Sequence, residues 1–378
     1  MTPPRSNSRA ISRSSTEGAC PSKPTIASRP IRRRNSRSDI LRHYNPRVRI
    51  DCSAPTRIDL AGGTIDIWPL YLFHQPAVTL NAAISLRAHC AIEARDDGRV
   101  VLVSEDTGER VDVESPAALG VTTLPLVARL VRFFDARGLT LTTRSDSPVG
   151  AGIAGSSAMN IALISALASF TGRSLSPDEV LEIAKNVEAQ VIDVPTGVQD
   201  YRPALYGGIS AVELDVTGIR RVPIAVPAAA LASRIVLAYT RASRNSGINN
   251  WDMMKRHIDG ESRVVEAFDN IASIARRMRA ALEAERWEEV GRELAAEWDN
   301  RKRLAPGVTT PAIDTLLDRA RGAGAVAGKV CGAGGGGCLF CLVPPEQHAD
   351  VSQALADAGA RVLPFQIEDQ GVHLRTSR

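Results

Sequence analysis

Four consecutive glycines, Gly334 to Gly337, end the segment Lys329-Val-Cys-Gly-Ala-Gly-Gly-Gly-Gly and run directly into an apolar, strand-like stretch, Cys338-Leu-Phe-Cys-Leu-Val343. Glycine weakens regular structure because it has the most backbone freedom to lose on folding. A run of glycines persists where the chain turns sharply or where something approaches the backbone closely. A flexible linker is the competing reading. Linkers of that kind carry serine and other polar residues and do not lead into an apolar strand, so the flanks favour a close-approach loop.

A second glycine-rich loop, Ser147-Pro-Val-Gly-Ala-Gly-Ile-Ala-Gly-Ser-Ser-Ala158, leads into Met159-Asn-Ile-Ala-Leu-Ile-Ser-Ala-Leu-Ala-Ser169, which has the composition of a well-buried helix. Glycines and serines at a helix start leave backbone N–H groups without acceptors at the positive end of the helix dipole, a ready site for phosphate. No Gly-Lys-Ser/Thr follows the glycines, so this is not the nucleotide P-loop pattern. A tight turn packed on a sheet would account for the loop taken alone. Two such loops in one chain favour a polyphosphate ligand.

Together these residues resemble the GHMP sugar and isoprenoid kinases. Three blocks carry the resemblance, in the family's order: Ala54-Pro-Thr-Arg-Ile-Asp-Leu-Ala-Gly-Gly-Thr-Ile-Asp66, Pro148 to Ala158, and Lys329 to Gly337. The resemblance implies an α+β chain with the GHMP kinase fold. Its N-terminal, ribosomal-S5-like domain would span 46–220 and its C-terminal, ferredoxin-like domain 221–378, with the active site between them. It also implies ATP as the phosphate donor and Mg²⁺ as the metal. Pro148, Gly150, Ala151, Gly152, Ile153, Ala154, Gly155, Ser156, Ser157 and Ala158 fall on the family's ATP-binding loop. That loop departs from the usual Gly-Leu-Gly-Ser-Ser-Ser-Ala, because Ala154 stands at a usual glycine and Gly155 at a usual serine. One hydroxyl is lost, while Ser157 keeps the place of the serine that reaches the metal.

The chain has 378 residues, 44% of them hydrophobic, enough for two domains with cores of their own. No stretch approaches the ~18 apolar residues of a membrane span. Cys338 and Cys341 form a Cys-x-x-Cys pair, but with no second pair and no nearby histidine they read as core residues of a strand. The reducing cytoplasm is the default location. The first 42 residues hold ten Arg or Lys against Glu17 and Asp39, whereas the whole chain carries only +4, so the remainder is mildly acidic. Residues 1–45 read as a disordered basic tail. The tail lacks the apolar core of a secretory signal but shares the composition of an organelle transit peptide. The basic balance belongs to this tail, so neither a specific nucleic-acid partner nor a membrane follows from it. Whether the chain is a monomer or a homo-oligomer stays open.

Strand-like runs are expected at 47–52, 78–93, 99–103 and 235–239, with helices at 124–135, 157–170, 260–304 and 311–322. Ser176-Pro-Asp-Glu179 is a helix start, with a serine cap, proline at the first position and glutamate at the third. A fold mixing strand runs with helix runs is α+β.

Phosphoryl transfer needs a held nucleotide, a metal to neutralise charge, and a group that orients or deprotonates the attacking hydroxyl. By the resemblance, Asp200, in Thr196-Gly-Val-Gln-Asp-Tyr201, is the catalytic carboxylate, and such help is typically worth about 10²–10⁴ in rate. A turn aspartate after Gly197 is the plain alternative. Glu188 matches the metal-binding acid that joins Ser157, against an exposed helix carboxylate. Arg57 matches the arginine that steadies the catalytic aspartate, though a lone arginine also serves as a strand salt bridge. Asp66 falls where sugar kinases of the family bind a substrate hydroxyl, which suits a carboxylate facing vicinal diols; a helix cap is its competing role. Gly332, Gly334, Gly335, Gly336 and Gly337 form the substrate-side loop, with Lys329 supporting it. His74 reads as structural.

Ala61-Gly62-Gly63, Trp298-Asp-Asn-Arg-Lys-Arg-Leu304, Thr310-Pro-Ala-Ile-Asp314 and Tyr239-Thr-Arg-Ala-Ser-Arg-Asn-Ser-Gly247 resemble the family branch of heptose 7-phosphate and fucokinase-like enzymes. The implied activity is ATP-dependent phosphorylation of a sugar or sugar-phosphate hydroxyl, first of all the anomeric hydroxyl of a heptose 7-phosphate. A distal phosphate would need cations, and Arg202, Arg241 and Arg244 are the candidates. Two alternatives stay open. One is a kinase of a neutral hexose such as fucose or galactose. The other is a catalytically silent sugar or nucleotide sensor, against which Asp200, Glu188 and Ser157 speak.

Overall fold

The strand expected at 47–52 is the start of a much longer one, β1 (Arg49–Ala61), whose first half alternates buried and open positions and whose second half is buried throughout. This computed structural model describes residues 48–242 and 246–377, the side chains of 246–249 aside. The expected basic tail and Arg244 lie outside the described residues. The short helix α1 (Leu70–Phe73) links β1 to β2 (Ala77–Ala94), which pairs with it antiparallel. β3 (Val100–Ser104), β4 (Arg110–Val113) and β5 (Leu139–Ser145) extend the sheet, β3 and β5 running parallel, with α2 (Pro125–Phe134) on the crossover.

The second glycine loop then starts α3 (Gly155–Phe170), two residues earlier than the sequence pattern suggests. Ile161, Leu163, Ile164 and Leu167 point in different directions around this helix, yet none is exposed. A helix apolar all round belongs inside, and α3 lies between the sheet and the helices α2 and α4 (Pro177–Ile192). Ser176 caps α4 as expected: its hydroxyl accepts from the Glu179 N–H and the Glu179 carboxylate accepts from the Ser176 N–H. Such a box is typically worth ~1 kcal/mol. A short helix, α5 (Tyr201–Tyr206), precedes β6 (Ile209–Asp215) and β7 (Gly218–Pro223).

A second sheet follows. α6 (Ala228–Ala232) and β8 (Ile235–Tyr239) lead to four helices, α7 (Ser246–Ile258), α8 (Ser262–Glu283), α9 (Trp287–Leu304) and α10 (Pro311–Gly322). β9 (Ala327–Val330), β10 (Cys338–Leu342), α11 (His348–Asp357), β11 (Arg361–Val362) and β12 (His373–Ser377) complete the chain. The four-stranded sheet is ordered β11-β8-β10-β9, and Cys338 and Cys341 are buried in its strand β10. The expected domain boundary at 220/221 falls inside β7, a strand of the first sheet, ahead of β8 in the second. The last strand, β12, nevertheless returns to pair with β1, and the described residues form one compact unit. A two-domain division therefore stands as a proposal. Among the described residues, no helix is long and apolar enough to cross a membrane.

Candidate active site

The loop before α3, the end of β1, the turn after α4 and the loop after β9 converge on a cleft of about 380 Å³. Gly150 and Gly152 take φ of +70° and +76°, and Ala154, the N-cap of α3, takes +62°. A left-handed alanine costs roughly 1–2 kcal/mol, which gives the physical reason for the glycine usual at that position. No side chain caps α3. Helix geometry leaves its first N–H groups, at Gly155, Ser156 and Ser157, without intrahelical acceptors, and all three residues line the cleft. Ile153 and Ala158 turn into the core instead, fully buried.

At the same helix end the Ser157 hydroxyl donates to Glu188 Oε2 at 2.9 Å. Glu188 is buried, and its carboxyl is pushed above its ordinary value by that burial, against which the Tyr201, Ser156 and Ser157 hydroxyls pull it down. The exposed-helix alternative for Glu188 does not hold. One hydroxyl and one buried carboxylate, both oxygen donors and both facing the cleft, fit a hard divalent cation that keeps phosphate and water as its other ligands. Among the described residues no group of three or more His, Cys, Asp or Glu could hold a metal by itself.

Asp200 N-caps α5 by position, and its Oδ1 accepts from Arg57 Nε at 2.9 Å and Nη2 at 2.7 Å. Arg57, almost wholly buried, also donates from Nη1 to the Gly152 carbonyl at 3.1 Å. One guanidinium thus joins the Asp200 carboxylate to the backbone of the loop before α3. Asp66 is buried too, and its Oδ2 accepts the N–H groups of Val198 at 2.6 Å and Gln199 at 2.9 Å. It caps the turn that carries Asp200 and not, as the competing reading has it, its own following residues. Burial, and then the Asp200 charge, push its carboxyl up to about 6. Gly197 lies so close that a Cβ there would overlap the Asp66 carboxylate.

The four-glycine run needs a correction. Gly332 lines the cleft, but Gly334, Gly335, Gly336 and Gly337 do not. What approaches them is backbone. A Cβ on Gly337, at φ +78°, would stand 2.6 Å from the Ala151 carbonyl, and one on Gly334 would stand 2.5 Å from the Val308 carbonyl. The Cys338 N–H donates to Ala151 at 2.6 Å. The run therefore braces the loop before α3 from behind. Lys329 acts at one remove: its Nζ donates to Asp59 Oδ2 at 3.0 Å, and Asp59 Oδ1 accepts the Gly332 N–H at 2.8 Å.

Among the cleft residues that escape the sequence reading, three have polar side chains that bear on the acceptor side. Thr64 and Gln199 lie within or beside quoted motifs, and Arg301 lies within the branch-specific stretch of α9. Arg301 is 1% exposed, and Glu297, one turn before it, is 0%. A charge on the same helical stripe as Leu294, Trp298 and Leu304 is the signal that marks both. Of the proposed distal cations, the two described ones do not line the cleft: Arg202 donates to the Val198 carbonyl, and Arg241 is exposed. His74 packs on Phe268 and bonds Asp269 and His257, away from the cleft.

Comparison with known proteins finds the GHMP kinases N-terminal domain at residues 123–208 and the GHMP kinases C-terminal family at 278–361. A D-glycero-alpha-D-manno-heptose 7-phosphate kinase of Campylobacter jejuni is 30% identical over 336 residues, covering 85% of this chain and 98% of its own. A crystal structure of a D-glycero-D-manno-heptose 1-phosphate kinase from Bacteroides thetaiotaomicron superposes with a TM-score of 0.70 at 27% identity, covering 86% of this chain and 98% of that one. A Lactococcus lactis galactokinase complexed with galactose shares the fold alone, at a TM-score of 0.69 and 17% identity over 86% of this chain and 95% of its own.

Proposed function

The chain belongs to the GHMP kinases, phosphotransferases with sugar or alcohol acceptors, and from that premise we propose that it transfers the terminal phosphate of ATP to the anomeric hydroxyl of a heptose 7-phosphate. The pairing of Asp200 with Arg57 beside the open N-terminus of α3 carries the reading. It sets a carboxylate for the acceptor next to donors for phosphate, and in-line transfer requires that adjacency. The Campylobacter relative's acceptor supports the choice of sugar.

In this reading the N–H groups at Gly155 to Ser157 hold the nucleotide phosphates, helped by the α3 dipole. Ser157 and Glu188 hold Mg²⁺, which when bound neutralises charge on the phosphates. Asp200 Oδ2 has no hydrogen-bond donor among the described residues, whereas Oδ1 is taken by Arg57. Oδ2 therefore accepts the proton of the attacking hydroxyl, and Arg57 fixes the carboxylate's rotation. The Arg57 bond to the Gly152 carbonyl keeps that oxygen turned away from the phosphates. The described cysteines are free thiols, which supports a reducing compartment, the cytoplasm.

A neutral hexose is the second reading, favoured by one observation: neither Arg202 nor Arg241 reaches the cleft. A screen of the purified chain with ATP and Mg²⁺ against free and phosphorylated sugars, following ADP release, separates them. Turnover confined to acceptors with a distal phosphate supports the heptose reading. Turnover of free hexoses replaces it, and no turnover on any sugar overturns both.

A further inference from the structure

We infer that Arg301 is a positioning residue for the acceptor, acting by clamping the Gly63–Thr64 turn in a conformation the turn would not hold unaided. Thr64 has φ of +75° and is buried. For a β-branched residue that is an outlier, since two heavy atoms on Cβ crowd the backbone there. Such conformations persist only where the surroundings over-determine them, and they cluster where a site needs a fixed shape.

Two side chains of α9 take hold of the turn: Glu297 Oε1 accepts the Gly62 N–H at 3.1 Å, and Arg301 holds the two residues that follow. Arg301 Nη1 donates to the Gly63 carbonyl and, at 2.8 Å, to Thr64 Oγ1, while Nη2 donates to the Gly332 carbonyl. A single planar guanidinium thus ties the turn after β1 to the loop after β9, across one wall of the cleft. Among the described residues no carboxylate lies within ion-pair distance of it; Asp59 and Glu297 act on it from farther off. The next residues of the turn extend the wall. The Ile67 N–H closes on the Thr64 carbonyl at 3.2 Å, and Asp66 is fixed on the turn that carries Asp200. Gln199, 5% exposed, lines the same wall, and its Oε1 has no hydrogen-bond partner. A Cβ on Gly63 would stand 3.0 Å from Arg301 Nη1 and 3.4 Å from Gln199 Nε2, so glycine keeps that corner open. The wall therefore offers a carboxylate, an amide oxygen and a hydroxyl at fixed places, the pattern that suits the adjacent hydroxyls of a sugar. In the kinase reading the nucleotide phosphates lie on the other side, against α3.

The inference rests on the kinase reading above, and its test is built so that the two fail separately. Arg301→Lys keeps the charge but cannot bridge two loops with one ammonium. With the best acceptor from the sugar screen, its acceptor KM is expected to rise about tenfold or more while nucleotide affinity by calorimetry stays within about twofold. An unchanged acceptor KM, or acceptor and nucleotide affinities falling together, overturns the inference. Thr64→Gly and Thr64→Ala both remove the hydroxyl but differ in backbone freedom. At an ordinary site the glycine variant is the less stable; here it is expected to melt above the alanine variant. The opposite order overturns the clamp, and this comparison needs no substrate. No turnover by the wild-type chain on any sugar would sink the kinase reading, and the melting order would still decide whether the turn is held under strain.

Discussion

Replacing Lys329 with methionine removes one positive charge from the middle of the molecule and almost nothing else. The ammonium is wholly buried, 3.0 Å from Asp59 Oδ2 and 3.6 Å from Glu297 Oε1, both of which are themselves unexposed. Breaking a buried pair by removing one partner costs roughly 3–5 kcal/mol, because the other charge is left uncompensated. The charge balance around Asp59 gives a second view of the scale. Burial pushes its carboxyl up, but Lys329 first, then Arg57 and Arg301, hold it down to about 2 against an ordinary 3.8. That depression links to roughly 2–3 kcal/mol of stability, of which only part belongs to Lys329. A folded value below the unfolded one means that this contribution is full at neutral pH and is lost as pH falls through the acid range toward about 2. In Lys329→Met the sign turns round. The carboxyl of Glu297, already pushed up by burial, rises further, and that of Asp59 rises with it, so protonation relieves the variant. Urea unfolding of the full chain at about pH 7.5 and about pH 5.5 is the assay. The loss is expected to reach roughly 3–5 kcal/mol at the higher pH and to shrink at the lower. Adding Asp59→Asn should return part of it. A loss below about 1 kcal/mol, a loss that grows on acidification, or a double variant no better than the single would refute the reasoning.

Asp200→Asn keeps shape while removing the charge proposed to take the hydroxyl proton, so kcat should fall about 10²-fold or more with nucleotide affinity unchanged; near-wild-type turnover would take Asp200 out of that role. Glu188 has its carboxyl raised by burial, so its ionised form costs stability in the absence of a cation, and below the raised value a proton competes with the cation. Calorimetric Mg²⁺ affinity with nucleotide present should therefore climb with pH through the raised Glu188 value and then level, and Glu188→Gln should abolish both the binding and the slope; a flat profile in the wild type would count against the Ser157–Glu188 site. Gly337→Ala places a Cβ 2.6 Å from the Ala151 carbonyl at φ +78°, and should cost about 2 kcal/mol or more and weaken nucleotide binding by displacing the loop. Unchanged melting would show that the glycine run does not brace it.

What the sequence discloses about this site follows how local each cause is. The cap on α4, the burial of α3 and the break before β10 rest on neighbours a few residues apart, so they are legible. The glycine run is legible as a place of close approach, but nothing in it names what approaches. The answer, the carbonyls of Ala151 and Val308, depends on how the loops of the two sheets meet. Asp200, Glu188, Arg57 and Asp66 are found through family likeness, and their partners only through the fold. Arg301 is hidden among charges that are solvated: Asp299 and Lys302, on the same helix, have side chains 71% and 36% exposed. Only its place on the stripe of Leu294 and Trp298 distinguishes it.

The distribution of contacts around Arg57 decides which substitutions can be read cleanly. Its guanidinium meets Asp200, the Gly152 carbonyl and, at 3.6 Å, Asp59. Asp59 in turn holds Lys329 and the Gly332 N–H. The Asp200 carboxylate, the loop before α3 and the loop after β9 are thus joined through one side chain and its first neighbour. Replacing Arg57 disturbs all three at once, and its effects on kcat, acceptor and nucleotide will not separate or add with those of its neighbours. Asp200→Asn leaves Arg57 its bonds to Gly152 and Asp59. Arg301→Lys leaves Arg57 untouched. These two cuts fall on either side of the junction, and for that reason the first reports on proton transfer and the second on where the acceptor sits.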